Sequence, residues 1–220
     1  MENTVSEIVA SHTQREILQQ PVSWMNTTRI IKERREDITS FLSSFQSGNV
    51  DVVLTGAGSS AFIGDAIQGE LLKSRGIIAR AVATTDLLTH PEQFLSKERK
   101  VLLVSFARSG DSPESMAAVH IVNKYCSDPY HMIITCNPEG RLYREVEENR
   151  TLKVLLPAET NDESLAMTSS FTSMMLAYIK SKHGGALQLN SKSFDVGALE
   201  VPPIEPLTEH SVKATKQLTH

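Results

Sequence analysis

Five short apolar segments, rich in β-branched residues and leucine, alternate along the chain with longer amphipathic stretches. Segments of this length and composition are typical of strands buried on both faces, and the stretches between them have the apolar spacing of helices. This alternation predicts a parallel sheet covered by helices on both faces. We therefore expect an α/β fold, a three-layer αβα sandwich around a five-stranded parallel sheet. The predicted strands are residues 50–55, 77–82, 100–106, 131–136 and 152–157.

Two further helices are predicted before the sheet. Residues 4–20 form the first, which should end before Pro21 because proline removes a helical hydrogen bond. Residues 23–46 form the second, with an amphipathic apolar stripe that could belong to an interface between subunits. The helices predicted among and after the strands are 60–75, a short one within 84–95, 113–127, about 140–148, and 165–182.

The character of the sequence changes after residue 183. A glycine pair is followed by Pro202, Pro203 and Pro206, with little apolar periodicity, which is typical of a linker. The predicted organisation is N-terminal helices over 1–48 and an α/β domain over 49–183. Residues 184–220 are predicted to be a linker and the start of a second domain that this chain does not contain.

The composition excludes several classes of protein. The formal net charge is −4, whereas a general nucleic-acid binder is usually basic, so no nucleic-acid partner is expected. No segment approaches the roughly 18 apolar residues of a membrane span, and the N-terminus has no signal-peptide pattern. Cys126 and Cys136 have no metal-ligand spacing, and we predict two reduced, buried thiols. The predicted location is the cytoplasm.

The turn "GAGSS", residues 56–60, follows the first predicted strand. It could begin a dinucleotide-binding fingerprint, but Ala61 stands where the third glycine is needed and no acidic residue ends the second strand. Gly56 and Gly58 alone would be explained by a tight strand-to-helix turn. That explanation leaves Ser59 and Ser60 unaccounted for.

The segment "SFARSGDSPES", residues 105–115, follows the third strand. Ligands of parallel sheets bind beyond the carboxyl ends of the strands, and a helix N-terminus favours anions. Ser109, Gly110 and Ser112 would supply hydroxyl and amide donors, and Arg108 could add charge or lie in solvent. The alternative is an ordinary helix N-cap, in which Ser112 caps a helix that begins at Pro113. A cap explains one serine, whereas two serine-glycine loops at neighbouring strand ends favour an anion site.

An acidic segment follows the fifth strand and contains Glu159, Asp162 and Glu163. Carboxylates at the mouth of the same cleft could act as a general base or acid on a sugar carbon. The alternative is a solvated acidic loop that caps the helix predicted over 165–182.

Taken together, these motifs resemble the sugar isomerase (SIS) domain superfamily. The resemblance covers about residues 13–180 and is most specific to the branch of tagatose-6-phosphate ketose/aldose isomerases, also described as galactosamine-6-phosphate deaminases. The segments that carry it are "EILQQPVSW" (16–24), "LTGAGSSAFIGD" (54–65), "TTDLLTHP" (84–91), "SFARSGDSPES" (105–115), "ITCNPEGRLYR" (134–144) and "PAETNDESLAMTSSFTSMM" (157–175).

The resemblance implies a phosphorylated hexose or hexosamine as substrate, no metal or other cofactor, and a homo-oligomer. It places the phosphate on Ser60, Ser109 and Ser112, with Gly58, Ser59 and Arg108 as neighbouring candidates. Members of the branch carry two SIS domains. Their general base lies in an "ESALK" stretch and their ring-opening histidine in an "HGP" motif, both in the second domain. Neither motif occurs in residues 1–220, so the chain resembles the first domain of the pair. Catalysis by this chain alone would need Glu159 or Glu163, and the alternative is a phosphosugar-binding or sensing module without catalysis.

Overall fold

The sheet is the centre of the computed structural model, which describes residues 11–45, 50–75 and 79–182, without the side chains of Glu70 and 73–75. Its five strands lie in the order β2-β1-β3-β4-β5, and every neighbouring pair is parallel. The predicted fold class, a three-layer α/β sandwich, is confirmed. The strands are β1 (Val50–Gly56), β2 (Ala79–Ala81), β3 (Lys100–Ala107), β4 (Asp128–Thr135) and β5 (Thr151–Leu155).

Helices cover both faces of the sheet. One face packs against α1 (His12–Glu33), α2 (Arg35–Ser43), α3 (Ala61–Arg75) and α8 (Ser169–Lys182). The other packs against α4 (Thr84–Thr89), α5 (Pro91–Phe94), α6 (Pro113–Tyr125) and α7 (Arg141–Glu145). Successive residues of β3 alternate between the two layers, so that Leu102 and Leu103 are both fully buried.

The prediction that a helix ends before Pro21 is wrong, because α1 runs from His12 through Pro21 to Glu33. Proline costs helical stability at this point, and the residues around it contact helix α8. The Trp24 indole N–H donates to Thr172 Oγ1 at 2.9 Å, and the Thr172 hydroxyl lies 2.9 Å from the side-chain oxygen of Gln20. Residues 4–10 of the predicted helix lie outside the described residues.

The single helix predicted over 23–46 is also wrong, since the chain leaves helical geometry at Arg34 and α2 begins at the next residue. The Arg34 guanidinium donates to the Lys153 carbonyl on β5, a contact that helical periodicity does not encode. The apolar stripe of this region packs into the core through Ile31 and Ile38. The predicted linker and the start of the second domain, 184–220, lie outside the described residues.

The two cysteines are free and buried, as predicted. Burial raises the pKa of Cys126 to about 11 and that of Cys136 to about 12. Both thiols are therefore protonated at neutral pH, a state that suits packing rather than nucleophilic chemistry. Within the described ranges, no helix has the length and apolar character needed to cross a bilayer.

Candidate functional site

The loops after β1 and β3 lie side by side at the carboxyl edge of the sheet. The register of the two strands pairs Thr55 with Ser105 and Gly56 with Phe106, so both loops start at the same level. Neighbouring strands are about 4.8 Å apart, which brings the two serine-glycine segments within reach of a single small ligand. The sequence pattern predicted that these two loops follow neighbouring strands of a parallel sheet.

Glycine is required at the start of the loop after β1. A Cβ atom on Gly56 would lie 2.6 Å from the backbone of Ser60, and Gly58 has a positive φ of 58°. The chain can therefore turn back on itself in a short 3-10 helix, Gly58–Ser60, that leads directly into α3. Ser60 is buried at this turn, whereas Ser59 is exposed and its hydroxyl contacts Met167 Sδ at 3.0 Å.

The carbonyl groups of the loop after β3 are engaged by a neighbouring segment. The carbonyl oxygens of Arg108, Ser109 and Gly110 all accept hydrogen bonds from the segment that follows β4. The donors, in the same order, are the Cys136 amide at 3.3 Å, the Asn137 side chain at 2.9 Å and the Leu142 amide at 3.0 Å. Among the described residues, the amides of Ser109, Gly110 and Ser112 have no acceptor. Gly110 has a φ of 69°, the left-handed conformation that one residue of an anion-binding nest adopts.

Ser112 caps helix α6, the interpretation that the sequence left as an alternative. Its Oγ accepts a hydrogen bond from the Ser115 amide at 3.2 Å and lies 2.7 Å from Ser115 Oγ. The Ser109 hydroxyl is less engaged, accepting only from the Asp111 amide at 3.4 Å. The positive end of the α6 dipole faces the same loop, which favours an anion there.

Arg108 is half-buried and does not lie free in solvent. Its Nη1 donates to the carbonyl oxygens of Asp162 at 2.6 Å and Ser164 at 3.3 Å. A guanidinium carries five N–H donors, and these bonds use only one of its nitrogens. Arg108 can therefore hold the segment after β5 and still contact an anion bound at the loop after β3.

The acidic residues after β5 form contacts with helix α1. Glu159 Oε1 accepts from the Asn26 side chain at 2.7 Å, and Glu163 Oε2 lies 2.6 Å from His12 Nδ1. Asp162 is buried, and its Oδ2 accepts from the amides of Thr168 and Ser170, both at 2.9 Å. This capping explains why α8 begins at Ser169 and not at 165 as predicted. The contacts observed for Glu159 and Glu163 lead to α1 and not to the loops after β1 and β3.

Polar residues of α1 hold the segment after β5, and no role was predicted for them. Glu16 is buried and accepts hydrogen bonds from the amides of Glu163 at 2.7 Å and Ser164 at 3.0 Å. Gln19 donates to the Glu159 carbonyl at 2.7 Å. The sequence pattern of α1 could have indicated their role, because the buried positions of this helix include the polar residues Glu16, Ser23 and Thr27. Its apolar residues Ile17, Leu18, Val22 and Met25 are exposed, which is the reverse of an ordinary amphipathic helix.

Comparison with known proteins gives relatives of considerable identity over most of the described chain. An AgaS protein of Streptomyces coelicolor is 48% identical over 170 residues, which are 76% of this chain and 44% of that protein. The D-galactosamine-6-phosphate deaminase AgaS of Escherichia coli is 44% identical over 165 residues, which are 74% of this chain and 43% of that protein. The matched part of the chain thus spans less than half the length of these relatives.

A solved structure shows the same fold. The crystal structure of tagatose-6-phosphate ketose/aldose isomerase from Escherichia coli superposes with a TM-score of 0.76 at 41% identity. The match covers 78% of this chain and 47% of that one. The family model for the SIS domain matches residues 47–179, from just before β1 into α8 and including both serine-glycine loops. On these grounds, and on its parallel sheet with loops at the carboxyl edge, the chain belongs to the SIS domain family.

Proposed function

We propose that this chain is the phosphosugar-binding half of an aldose–ketose isomerase or deaminase that acts on a phosphorylated hexose or hexosamine. The observation that carries the proposal is the loop after β3, whose carbonyls are engaged by the segment after β4 while the amides of Ser109, Gly110 and Ser112 have no acceptor among the described residues. The similar proteins named as D-galactosamine-6-phosphate deaminase and as tagatose-6-phosphate ketose/aldose isomerase support galacto-configured 6-phosphates as substrates.

In this proposal the phosphate lies between the two loops and in line with α6. The amides of Ser109, Gly110 and Ser112 and the Ser109 hydroxyl donate to its oxygens, and Arg108 supplies a positive charge. Gly58, Ser59 and Ser60 form the opposite wall after β1. Ser112 stabilises this arrangement by capping α6 as well as by offering its amide. Binding the phosphate fixes the sugar, so that its first two carbons are held for reaction.

The reaction is proton transfer between adjacent carbons. A base removes the proton from C2 of the open-chain aldose and returns it at C1, through an enediol or, for an amino sugar, an enolamine. In the amino-sugar case, C2 becomes an imine, and addition of water releases ammonia and leaves the ketose phosphate. No metal or other cofactor is required by these steps.

We place the general base outside residues 1–220. Glu159 and Glu163 are the alternatives within the chain, but their carboxylates contact Asn26 and His12 of α1. The relatives are more than twice as long as the matched segment, which leaves room for a second domain that supplies the base. Engagement of both carboxylates also favours the second candidate function, a phosphosugar-binding or sensing module without catalysis.

Titration calorimetry with galactosamine 6-phosphate, tagatose 6-phosphate and unphosphorylated galactosamine tests the proposal. We expect binding of both phosphates and none of the free sugar, together with no turnover in a coupled deaminase assay of residues 1–220. Turnover by this chain would instead assign the general base to Glu159 or Glu163. Absence of binding by any hexose phosphate would refute the anion-site interpretation of the two loops.

Two further predictions concern the setting of the protein. A homo-oligomer is supported by the exposed apolar residues Leu18, Val22 and Met25, which follow one another at helical spacing on α1. Light scattering after size-exclusion chromatography would determine the mass in solution. A cytoplasmic location is supported by the two buried, unpaired thiols.

A further inference from the structure

The segment 161–168, called here the cover loop, lies between the 3-10 turn Ala158–Thr160 and helix α8. It touches both proposed phosphate loops. Arg108, after β3, donates to two of its carbonyls, those of Asp162 and Ser164. Ser59, after β1, contacts the sulfur of Met167 at 3.0 Å. The cover loop therefore forms a wall of the site, and its position decides where the Arg108 guanidinium is held.

Glu16 holds the same loop from the opposite side. Its Oε1 accepts from the amides of Glu163 and Ser164, and its Oε2 accepts from the Ser164 hydroxyl. Glu16 is 6% exposed as a residue and accepts hydrogen bonds from the loop through both carboxylate oxygens. Burial alone would raise the pKa of Glu16, but the hydrogen bonds from Ser164 and Glu163 outweigh burial and the pKa lies below its ordinary value. The group is ionised at neutral pH and acts as a fixed acceptor.

Hydrogen bonds to the start of α8 hold the part of helix α1 that carries Glu16. The Ser169 hydroxyl, at the start of α8, donates to the Glu16 carbonyl at 2.6 Å. Gln19, one turn further along α1, donates to Ser169 Oγ at 3.0 Å. Glu16 lies outside the residues 47–179 that match the SIS domain. A residue beyond that match is thus connected, through one loop, to the proposed anion site.

We propose that Glu16 is a positioning residue for the phosphosugar site: it fixes the cover loop, whose carbonyls in turn hold Arg108 beside the phosphate loop. This inference rests on the proposed function. Its physical basis is preorganisation, because a guanidinium already held by two carbonyls loses less rotational freedom when the ligand binds. The N-terminal helices are then part of the binding machinery and not only a covering layer.

Three variants separate this role from general stabilisation. Glu16→Ala removes all three hydrogen bonds. Glu16→Gln keeps Oε1, which accepts both amide bonds, and the Ser164 hydroxyl retains its 2.8 Å bond to the Ala166 carbonyl. Asn26→Ala is the matched control, because it removes one bond from the same helix to Glu159, outside the cover loop.

The experiment combines hydrogen exchange with titration of galactosamine 6-phosphate. We expect E16A to accelerate exchange of the Glu163 and Ser164 amides and to weaken phosphosugar binding by about tenfold. E16Q should restore both properties, and N26A should change neither. In an R108A background, E16A should weaken binding by less than about twofold further, since Glu16 acts through Arg108. Should E16A lose its native spectrum, Ser164→Ala takes its place, with about threefold weaker binding expected.

Several results would overturn the inference. E16A could loosen the loop and leave the affinity unchanged, or E16Q could bind as weakly as E16A. The effects of E16A and R108A could also prove additive. A wild-type protein that binds no hexose phosphate would refute the proposed function and this role together. The exchange data would still show, independently of any ligand, whether Glu16 holds the cover loop.

Discussion

Gly140 lies against Ser109 so closely that a Cβ atom on it would come within 2.2 Å of the Ser109 carbonyl oxygen. This contact joins the loop after β4 to the loop after β3, on the side opposite to the proposed phosphate. It accompanies the hydrogen bonds that turn the carbonyls of residues 108–110 away from the site. The conformation of the loop proposed to bind the anion therefore depends on the absence of a side chain at Gly140, about 30 residues further along the sequence.

Gly140→Ala is expected to displace the loop after β3. Because the clash is with backbone, it cannot be relieved by a side-chain rotation, and we expect a loss of about 1–3 kcal/mol in the free energy of unfolding. Phosphosugar affinity should fall at the same time. Urea denaturation and calorimetry measure the two effects.

Gly69→Ala is the matched control for this prediction. Gly69 lies in α3 and nothing lies within 4 Å of the position its Cβ would take. Alanine has a higher helix propensity, so this variant should be about 0.5–1 kcal/mol more stable and should bind normally. Equal behaviour of the two variants would contradict the role given to Gly140.

Ser109 and Ser112 should respond differently to substitution by alanine. Ser109→Ala removes only a long bond to the Asp111 amide, so we expect a stability change of less than about 0.5 kcal/mol and a loss of about 1–3 kcal/mol in phosphosugar binding. The measurements are thermal unfolding and titration calorimetry. An affinity unaffected by this substitution would remove Ser109 from the phosphate site.

Ser112→Ala removes the N-cap of α6, and we expect it to cost about 1 kcal/mol of stability. Its effect on phosphosugar binding should be smaller than that of S109A, because the Ser112 hydroxyl is already engaged with Ser115. If S112A bound phosphosugar more weakly than S109A at a temperature where both variants are folded, the assignment of the two serines would be reversed.

Features that depend on local pattern could be predicted from the sequence. The five strands, the glycine turn after β1 and the helix start at Pro113 all follow from periodicity, glycine placement and capping preferences. Their consequence, two serine-glycine loops side by side, follows from the general rule for parallel sheets. The anion site at the carboxyl edge of the sheet remains a prediction, and the structure brings the two loops that would form it next to each other.

Features that depend on contacts distant in sequence could not be predicted. Helix α1 continues through Pro21, with Trp24 in contact with Thr172, and Glu16 accepts hydrogen bonds from amides nearly 150 residues away. A glutamate in a polar helical segment ordinarily indicates a solvated face, so sequence reasoning passed over it. The acidic segment after β5 was expected either to face the cleft or to cap the helix that follows, and neither expectation included the contacts of Glu159 and Glu163 with α1.

His131 should make the protein less stable in acid. It is buried on β4, with Nε2 2.7 Å from Asn123 Oδ1, and burial lowers the pKa to about 4 from an ordinary value of about 6.5. The folded state thus keeps His131 neutral where the unfolded chain already binds a proton. Titration of His131 leaves the free energy of unfolding unchanged above pH 6.5. Between pH 6.5 and 4 it should lower that free energy by about 1.4 kcal/mol per pH unit.

The contribution of His131 is isolated by comparison with His131→Leu, which cannot titrate. Urea denaturation at several pH values should give the wild type a steeper loss of stability below pH 6.5 than the variant. The exposed histidines are common to both proteins and cancel in the difference. Parallel pH profiles for the two proteins would show that His131 is protonated in the folded state.

The rates at which Cys126 and Cys136 are alkylated should show whether ligand binding protects the structure around the proposed phosphate site. Cys126 and Cys136 have raised pKa values because both are buried, so alkylation at pH 8 requires the fold to open. The amide of Cys136 bonds to the Arg108 carbonyl beneath the proposed anion loop, whereas Cys126 lies at the far end of α6. We expect galactosamine 6-phosphate to slow alkylation of Cys136 by about tenfold and that of Cys126 by less, as measured by mass spectrometry after trypsin digestion. If the ligand slowed both thiols equally, opening would be global, and if it slowed Cys126 alone, the ligand would bind away from the loop after β3.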